Sequence, residues 1–381
     1  MRILLASPYD LTHLGGVTSH VFDLASQFTL LGHEVTVAGP TSRDGQIQHT
    51  GIHKLGGSFR FPTPGDSARV NLNPLVHTRV QELLSQQQFD VLHLHEPFLG
   101  FIGSSFLRRG EGLKVGTFHT WRKGTHLPYV AFGPLVRKWN TMLNGRIAVS
   151  DSARETVNRY VPAEYQVIPN GIYYDDFAYP ETPPEHLDDD KPTIMFAGRL
   201  EPRKGVPVLL RAFQTLKKKI PNARLVICGD GSMRRKWQQM AHSMDLEDVF
   251  FEGFIARDNL PAYYHRADVY VSPSVTNESF AITLLEAMAA RTPVIATTNN
   301  GSNTLGEHGV TGLVIEPRDD VALAQAMEYL LEDRDTSERL GNAAQDRARE
   351  FDWNVVARRI LDYYDELMGV ATVDEALRAS R

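Results

Sequence analysis

DDFAYPETPPEHLDDDKP (Asp175–Pro192), followed by TIMFAG (Thr193–Gly198), decides the fold. Ahead of it, RILLAS, EVTVAG, DVLHLH, KVGTFH, RIAVS and YQVIP read as strands. TSHVFDLASQFTLLG, VHTRVQELLSQQQ and SARETVNRY read as helices between some of them. Such alternation implies a parallel sheet covered by helices. Pro180, Pro183, Pro184 and Pro192, set among acids, stop the pattern. It restarts with TIMFAG, ARLVICG, VFFEG, DVYVSP and PVIAT. The expectation is an α/β protein of two Rossmann-like, doubly wound domains facing across a cleft. Residues 1–174 form the first domain, 175–192 a linker and 193–354 the second. A last amphipathic helix, 355–381, follows FDWN and completes the first domain. A chain of 381 residues suffices for two domains of ordinary size.

Composition narrows the class. Apolar residues make up 42% and charged residues 23%, as in a soluble globular protein. The net charge of -6 argues against a nucleic-acid partner, because a phosphate backbone selects a basic face. Cys228 is the sole cysteine and sits in the apolar run RLVICGDG, so it reads as a small buried hydrophobe. Without a second thiol no intrachain disulfide forms, which fits a reducing cytoplasm. No apolar run approaches the roughly twenty residues of a membrane span. MRILLASPYD reads as strand and loop, not as a signal peptide. Asp188, Asp189 and Asp190 follow no strand and read as a solvated acidic loop, not a metal site.

Chemistry concentrates at strand ends. In ESFAITLLE, Glu278 lies in the loop after DVYVSP, and Glu286 about two helical turns on, on roughly the same face. Two carboxylates on one wall suit a ligand rich in hydroxyls; isolated glutamates are more often surface acids. In PYDLTHLGGVTSH, Gly15 and Gly16 let backbone N–H groups approach an anion at the start of a helix. The spacing is not G-x-G-x-x-G and no ribose-binding acid follows, so a plain Rossmann dehydrogenase fits poorly. GRLEPRKG, Gly198–Gly205, sets Arg199 and Lys204 around a Pro202 turn at a strand end. They are suited to clamp a pyrophosphate; read alone, they serve equally as solvated cations. Gly229 and Gly231, in CGDGS, form a further glycine turn open to a nucleotide. His119 closes KVGTFH beside Phe118 and Trp121. It is placed to bond a substrate hydroxyl or stabilise developing charge, the plain alternative being a satisfied structural histidine. His93 and His95, in HLHEP, are expected on alternate faces of their strand in supporting roles, with no metal site. FLGFIGSSFLRRG, Phe98–Gly110, reads as a core-facing helix or, with its aromatics and basic end, as a membrane contact.

Taken together, GGVTSHV, HLHEPF, TFHTW, AVSDSARE, VIPNGI, FAGRLEPRKG, VICGDG, VYVSPSVTNESFAITLLEAMA, TPVIAT and GLVIEP resemble the retaining glycosyltransferases of family four. These have the GT-B architecture. GGVTSHV, HLHEP, FHTW and GRLEPRKG are most similar to the bacterial phosphatidylinositol mannosyltransferases. The resemblance implies a retaining, metal-independent hexosyltransferase without a cofactor. It implies transfer of mannose from GDP-mannose to a phosphatidylinositol-like lipid or a glycan hydroxyl, by a peripheral protein at the inner face of the cell membrane. It also implies roles. Gly16 donates N–H to the donor diphosphate, His119 approaches the transferred sugar, and Arg199 and Lys204 hold the phosphates. Glu278 bonds the sugar hydroxyls together with the backbone of Phe280 and Ala281, and Glu286 holds the ribose. No carboxylate acts as nucleophile. One competing reading is a family-four enzyme using UDP-glucose or another donor with a diacylglycerol or soluble acceptor. Another is a non-catalytic sugar-nucleotide-binding protein, against which His119, Arg199, Lys204, Glu278 and Glu286 speak. Three positions depart from the pattern. Ala281 and Arg291 stand where glycine is usual, and VHTRVQELLSQQQ lacks the dense basic charge of the lipid-using relatives.

Overall fold

The computed structural model describes residues 1–13, 15–42, 51–63, 66–121, 124, 127–276, 278–299 and 308–379. The chain divides into two compact units, Met1–Gly171 with Trp353–Arg381, and Ile172–Asp352. In chain order the first unit has β1 (Arg2–Ala6), β2 (Glu34–Gly39), β3 (Ile52–Lys54), an antiparallel ribbon of β4 (Phe59–Thr63) and β5 (Asp66–Val70), β6 (Val91–His95), β7 (Leu113–Phe118), β8 (Gly145–Ala148) and β9 (Gln166–Val167). Its parallel sheet runs β3-β2-β1-β6-β7-β8-β9. The second unit has β10 (Thr193–Ala197), β11 (Arg224–Cys228), β12 (Val249–Gly253), β13 (Val269–Ser272), β14 (Val294–Thr297) and β15 (Leu313–Ile315). Its parallel sheet runs β12-β11-β10-β13-β14-β15. Both are Rossmann-like and doubly wound. The order reverses between β1 and β6 and between β10 and β13, where such sheets open a crevice at the strands' carboxyl ends.

The central strands are near-continuous apolar runs because helices cover both faces of each sheet. Every residue of β10, β11 and β13 is buried. Three elements were not expected as strands: β3, the ribbon and β15. All are short or polar, and neighbouring strands rather than an apolar run hold them. Burial leaves Cys228 as core and pushes its thiol well up.

The stretch expected as a linker is a packed part of the second unit. Phe177 and Leu187 are buried. The guanidinium of buried Arg224 donates to the Leu187 carbonyl at 2.6 Å and to the Thr193 hydroxyl at 2.7 Å. It also pairs with Asp189 at 2.9 Å, so the acidic loop is not merely solvated. A buried guanidinium must find such partners, and they fasten the segment to the core. The C-terminal helix, Trp353–Ala379, belongs to the first unit; residues 380 and 381 of the expected helix lie outside the described ones. Trp353 and Tyr364 are buried, and Leu367 and Tyr363 fill the space a side chain at Gly145 would need.

Phe98, Ile102, Phe106 and Leu107 are all core residues. Of the two readings of Phe98–Gly110, the core-facing helix therefore holds and the membrane contact does not: the helix Ile102–Arg109 supplies an apolar stripe to its own unit. Arg291 occupies the left-handed region at φ 61°. A Cβ there crowds the following carbonyl, so Arg291→Gly should stabilise by about 0.5–1 kcal/mol, read in urea unfolding. A loss of stability would show that the arginine side chain outweighs the strain.

Candidate active site

In the second unit, β10 leads into the turn Pro202–Lys204. Gly205 closes it at φ 74°, where a Cβ would lie 1.9 Å from the Pro273 carbonyl oxygen. Glycine alone lets this loop lie against the loop after β13, and the Val275 N–H donates to the Arg203 carbonyl at 2.8 Å. That contact seats the Lys204 ammonium on Glu278 at 2.6 Å. Glu278 is buried and also accepts from the Ser274 hydroxyl at 3.0 Å and from Arg203 at 3.4 Å. Arg203 Nε donates to Glu201 at 2.9 Å, and Arg199 Nε lies 3.0 Å from the other Glu201 oxygen. Arg199, Glu201, Arg203, Glu278 and Lys204 thus form one chain of alternating charge with a cation in excess. Burial pushes the Glu278 carboxyl up, but Lys204 and Arg203 outweigh it and hold it below the usual range. Sequence reasoning missed Glu201, Arg203 and Ser274. The signal was present: an acid and two cations crowd into EPRK.

Glu286 lies on the helix Ile282–Ala289 and accepts from the Tyr264 hydroxyl at 2.7 Å. The helix starts only at Ile282, so Glu278 and Glu286 do not share a helical face as expected. Phe280 and Ala281 are buried and carry the chain into the helix. Ala281 has φ -92°, an ordinary region, and its methyl group is accommodated. Tyr270 links β13 to the helix, its hydroxyl donating to the Thr283 hydroxyl at 2.8 Å and to the Ala197 carbonyl at 3.3 Å.

Gly229 and Gly231 have a packing reason to be glycine. Their Cβ atoms would lie 2.0 Å from the Gly198 carbonyl oxygen and 2.6 Å from that of Leu200. The β10 and β11 loops therefore press together, through Leu200 N–H donating to the Asp230 carbonyl at 2.9 Å among other bonds. A hollow of 820 Å³ in this unit is lined by Pro192, Asp268 and Pro293, which precede β10, β13 and β14. It lies at the opposite edge of the sheet from these loops.

In the first unit, the helix Gly16–Leu30 starts without a side-chain cap, and a Cβ on Gly15 or Gly16 would meet nothing within 4 Å. Side-chain space at the two glycines is thus open, and the first backbone N–H groups of the helix have no intrahelical acceptor. Asp10 fixes the preceding loop. It accepts from Ser58, from the Thr12 hydroxyl at 2.6 Å and from the Thr12 and Ser42 N–H groups. Burial opposes its charge, yet these bonds hold its carboxyl well below the usual range.

His119 follows β7 and is anchored by Glu96, which sequence reasoning passed over. One Glu96 oxygen accepts from the His119 N–H at 2.8 Å, the Thr120 N–H at 2.9 Å and the Thr120 hydroxyl at 2.8 Å. His119 Nε2 lies 3.0 Å from His95 Nδ1. His93 and His95 share a face, contrary to expectation, because residues two apart on a strand point the same way. Their rings stack at 4.5 Å. The His20 ring meets His119 edge-on at 4.9 Å, and among the described residues neither of its nitrogens makes a hydrogen bond of good geometry, Asn170 being the polar side chain beside it. Ligating nitrogens of His20, His95 and His119 all lie within 4.8 Å of one another. His95 and His119 each spend a nitrogen on the other, and among the described residues no thiolate or carboxylate joins the set. Burial keeps all four imidazoles neutral, with His20 lowered to about 4, His93 to about 3, and His95 and His119 well below the ordinary value.

Residues 14–176 match the Glycosyltransferase Family 4 model and residues 180–347 that of Glycosyl transferases group 1. A phosphatidyl-myo-inositol mannosyltransferase of Mycobacterium leprae is 35% identical over 96% of each chain. The chain belongs to glycosyltransferase family four. An alpha-monoglucosyldiacylglycerol synthase of Streptococcus pneumoniae is 27% identical, covering 83% of this glycosyltransferase and 78% of that protein. Sucrose-phosphate synthase from Thermosynechococcus elongatus matches in structure with a TM-score of 0.78 at 20% identity, covering 97% of this chain and all of that one. That likeness gives this glycosyltransferase the GT-B fold.

Proposed function

We propose that this glycosyltransferase moves mannose from GDP-mannose to a phosphatidylinositol-like lipid with retention of anomeric configuration and without a metal. The 35% identity to a phosphatidyl-myo-inositol mannosyltransferase over nearly the whole of both chains carries the reading. In it, Lys204, Arg199 and Arg203 meet the charge that grows on the departing diphosphate, as preorganised donors do best. Backbone N–H groups at Gly16 share that load. Glu278 accepts from sugar hydroxyls with the Phe280–Ala281 backbone beside it, Glu286 accepts from the ribose, and the glycine turn Gly229–Gly231 borders the nucleotide. His119 approaches the transferred sugar. The acceptor hydroxyl attacks from the face the diphosphate leaves, so no enzyme carboxylate becomes glycosylated. Among the described residues no helix is long and apolar enough to cross a membrane, so a lipid acceptor is met from the bilayer surface.

The resemblance to the alpha-monoglucosyldiacylglycerol synthase keeps a second reading open, transfer of glucose from UDP-glucose to diacylglycerol. Labelled GDP-mannose and UDP-glucose, each offered with phosphatidylinositol, diacylglycerol and soluble sugars, separate the two. Label entering phosphatidylinositol from GDP-mannose alone is the expected result, and transfer only to a soluble sugar would sink it. EDTA should leave the rate unchanged; a loss restored by magnesium contradicts metal independence. Glu278→Gln should lower transfer far more than affinity for bare nucleotide, whereas Glu286→Ala should weaken both. Equal effects on nucleotide affinity would erase the division of roles.

A further inference from the structure

The apolar contact expected at Phe98–Leu107 is core, yet the first unit exposes apolar side chains elsewhere. Val130, Phe132 and Leu135 are 56%, 58% and 42% exposed. They belong to two consecutive short helices, Leu127–Ala131 and Gly133–Asn140. The second helix is apolar on two sides. Val136 and Trp139 face the core, as three-residue spacing allows. Phe132, Leu135 and Lys138 follow the same spacing on the outside, with exposed Arg137 beside them. A surface helix of an ordinary globular domain presents polar residues outward.

We propose that the outer face of this helix, Phe132, Leu135, Arg137 and Lys138 with neighbouring Val130, seats the protein on an anionic lipid bilayer. This rests on the lipid-acceptor reading above. Charge selects the occupant. Arg137 and Lys138 are exposed on this face, and from Gly112 to Ser150 the sequence holds no Asp or Glu to oppose them, in a chain whose net charge is -6. Apolar side chains flanked by lysine and arginine match a headgroup boundary, where rings enter the acyl region and cations stay among phosphates. The helix Val76–Gln86, also amphipathic, has only His77 and Arg79 before Glu82. The exposed helix therefore supplies an attraction that Val76–Gln86 lacks.

The test is flotation of the full chain with vesicles of phosphatidylcholine alone or mixed with phosphatidylglycerol, at low and high salt. The wild type should float with the anionic vesicles and lose most of that binding at high salt. The double variant Phe132→Ser, Leu135→Ser should bind about tenfold less or weaker still. Arg137→Glu with Lys138→Glu should abolish the preference for anionic lipid. Leu30→Ser, on an exposed site of another helix, should bind as the wild type does. Nucleotide affinity, measured on every variant, certifies folding. Equal binding by the Phe132 and Leu135 variant, equal loss in the Leu30 variant, or no vesicle binding by the wild type each overturns the proposal. So does a wild-type dimer that the double variant abolishes, since it assigns the face to a second copy. Transfer to detergent-dispersed phosphatidylinositol is scored separately, so failure of the acceptor reading is distinguished from failure of this surface.

Discussion

Lys204→Ala should destroy transfer and also destabilise the second unit. Glu278 is 5% exposed, and its strongest partner is the Lys204 ammonium at 2.6 Å. Without it, Glu278 keeps the Ser274 hydroxyl and an Arg203 contact at 3.4 Å. Removing one member of a buried ion pair costs about 3–5 kcal/mol, because the remaining charge keeps its desolvation penalty. The Glu278 carboxyl, now held low chiefly by Lys204, should rise. Loss of a positioned cation at a developing phosphate charge should lower turnover about 100- to 1,000-fold. The double variant Lys204→Ala, Glu278→Gln separates the two effects. It should recover much of the stability, since no buried charge is stranded, but none of the activity. Urea unfolding and turnover on both variants provide the check. A fully stable Lys204→Ala protein would mean that Glu278 is solvated after all. A recovery of turnover in the double variant would remove Lys204 from the chemistry.

The strands were legible where the chain is continuously apolar, because burial on both faces leaves no polar positions to blur the signal. TIMFAG and ARLVICG are of that kind, and β10 and β11 fall within them. IHK and LVI form strands only because β2 and β14 offer free edges, which no local pattern announces. The linker misled because proline and acid read as loop, while the two apolar residues that bury it, Phe177 and Leu187, are too sparse to form a period. The candidate site was legible as strand ends: His119, Arg199, Lys204 and Glu278 all follow parallel strands. Its wiring was not. Arg203 stands between the candidates Arg199 and Lys204 in GRLEPRKG, and nothing local says which way each side chain turns. The histidine cluster draws on residues 20, 93, 95 and 119, and it exists because β6 and β7 are neighbours. Read singly, His119 looked like a site residue and His93 and His95 like supporting ones, while His20, on a helix, gave no signal of its own.

That cluster implies the steepest pH dependence in the molecule. His20, His93, His95 and His119 are buried, and burial lowers each imidazole below its ordinary value. In the unfolded chain they take up protons near pH 6.5. In the folded unit they do so far lower, near 4 for His20 and near 3 for His93. Between those limits the unfolded state binds more protons, so stability falls as pH falls. Above the unfolded value both states are neutral and the slope vanishes. Each imidazole contributes about 1.4 kcal/mol per pH unit once the unfolded chain is protonated, so four together reach on the order of 5 kcal/mol per unit. Buried Glu96 works the other way, because its carboxyl is raised and can take one proton in the folded state. The remainder still rivals a total stability of about 5–15 kcal/mol. The protein should therefore be equally stable at pH 8 and pH 7, and unfold cooperatively near pH 5. Urea midpoints across that range measure it. His20→Phe should flatten the slope by about one proton, since the titrating ring is lost and only its weak approach to Asn170 goes with it. Stability that stays level from pH 7 to pH 5 would mean that the cluster opens to water, or carries its protons already, in the native protein.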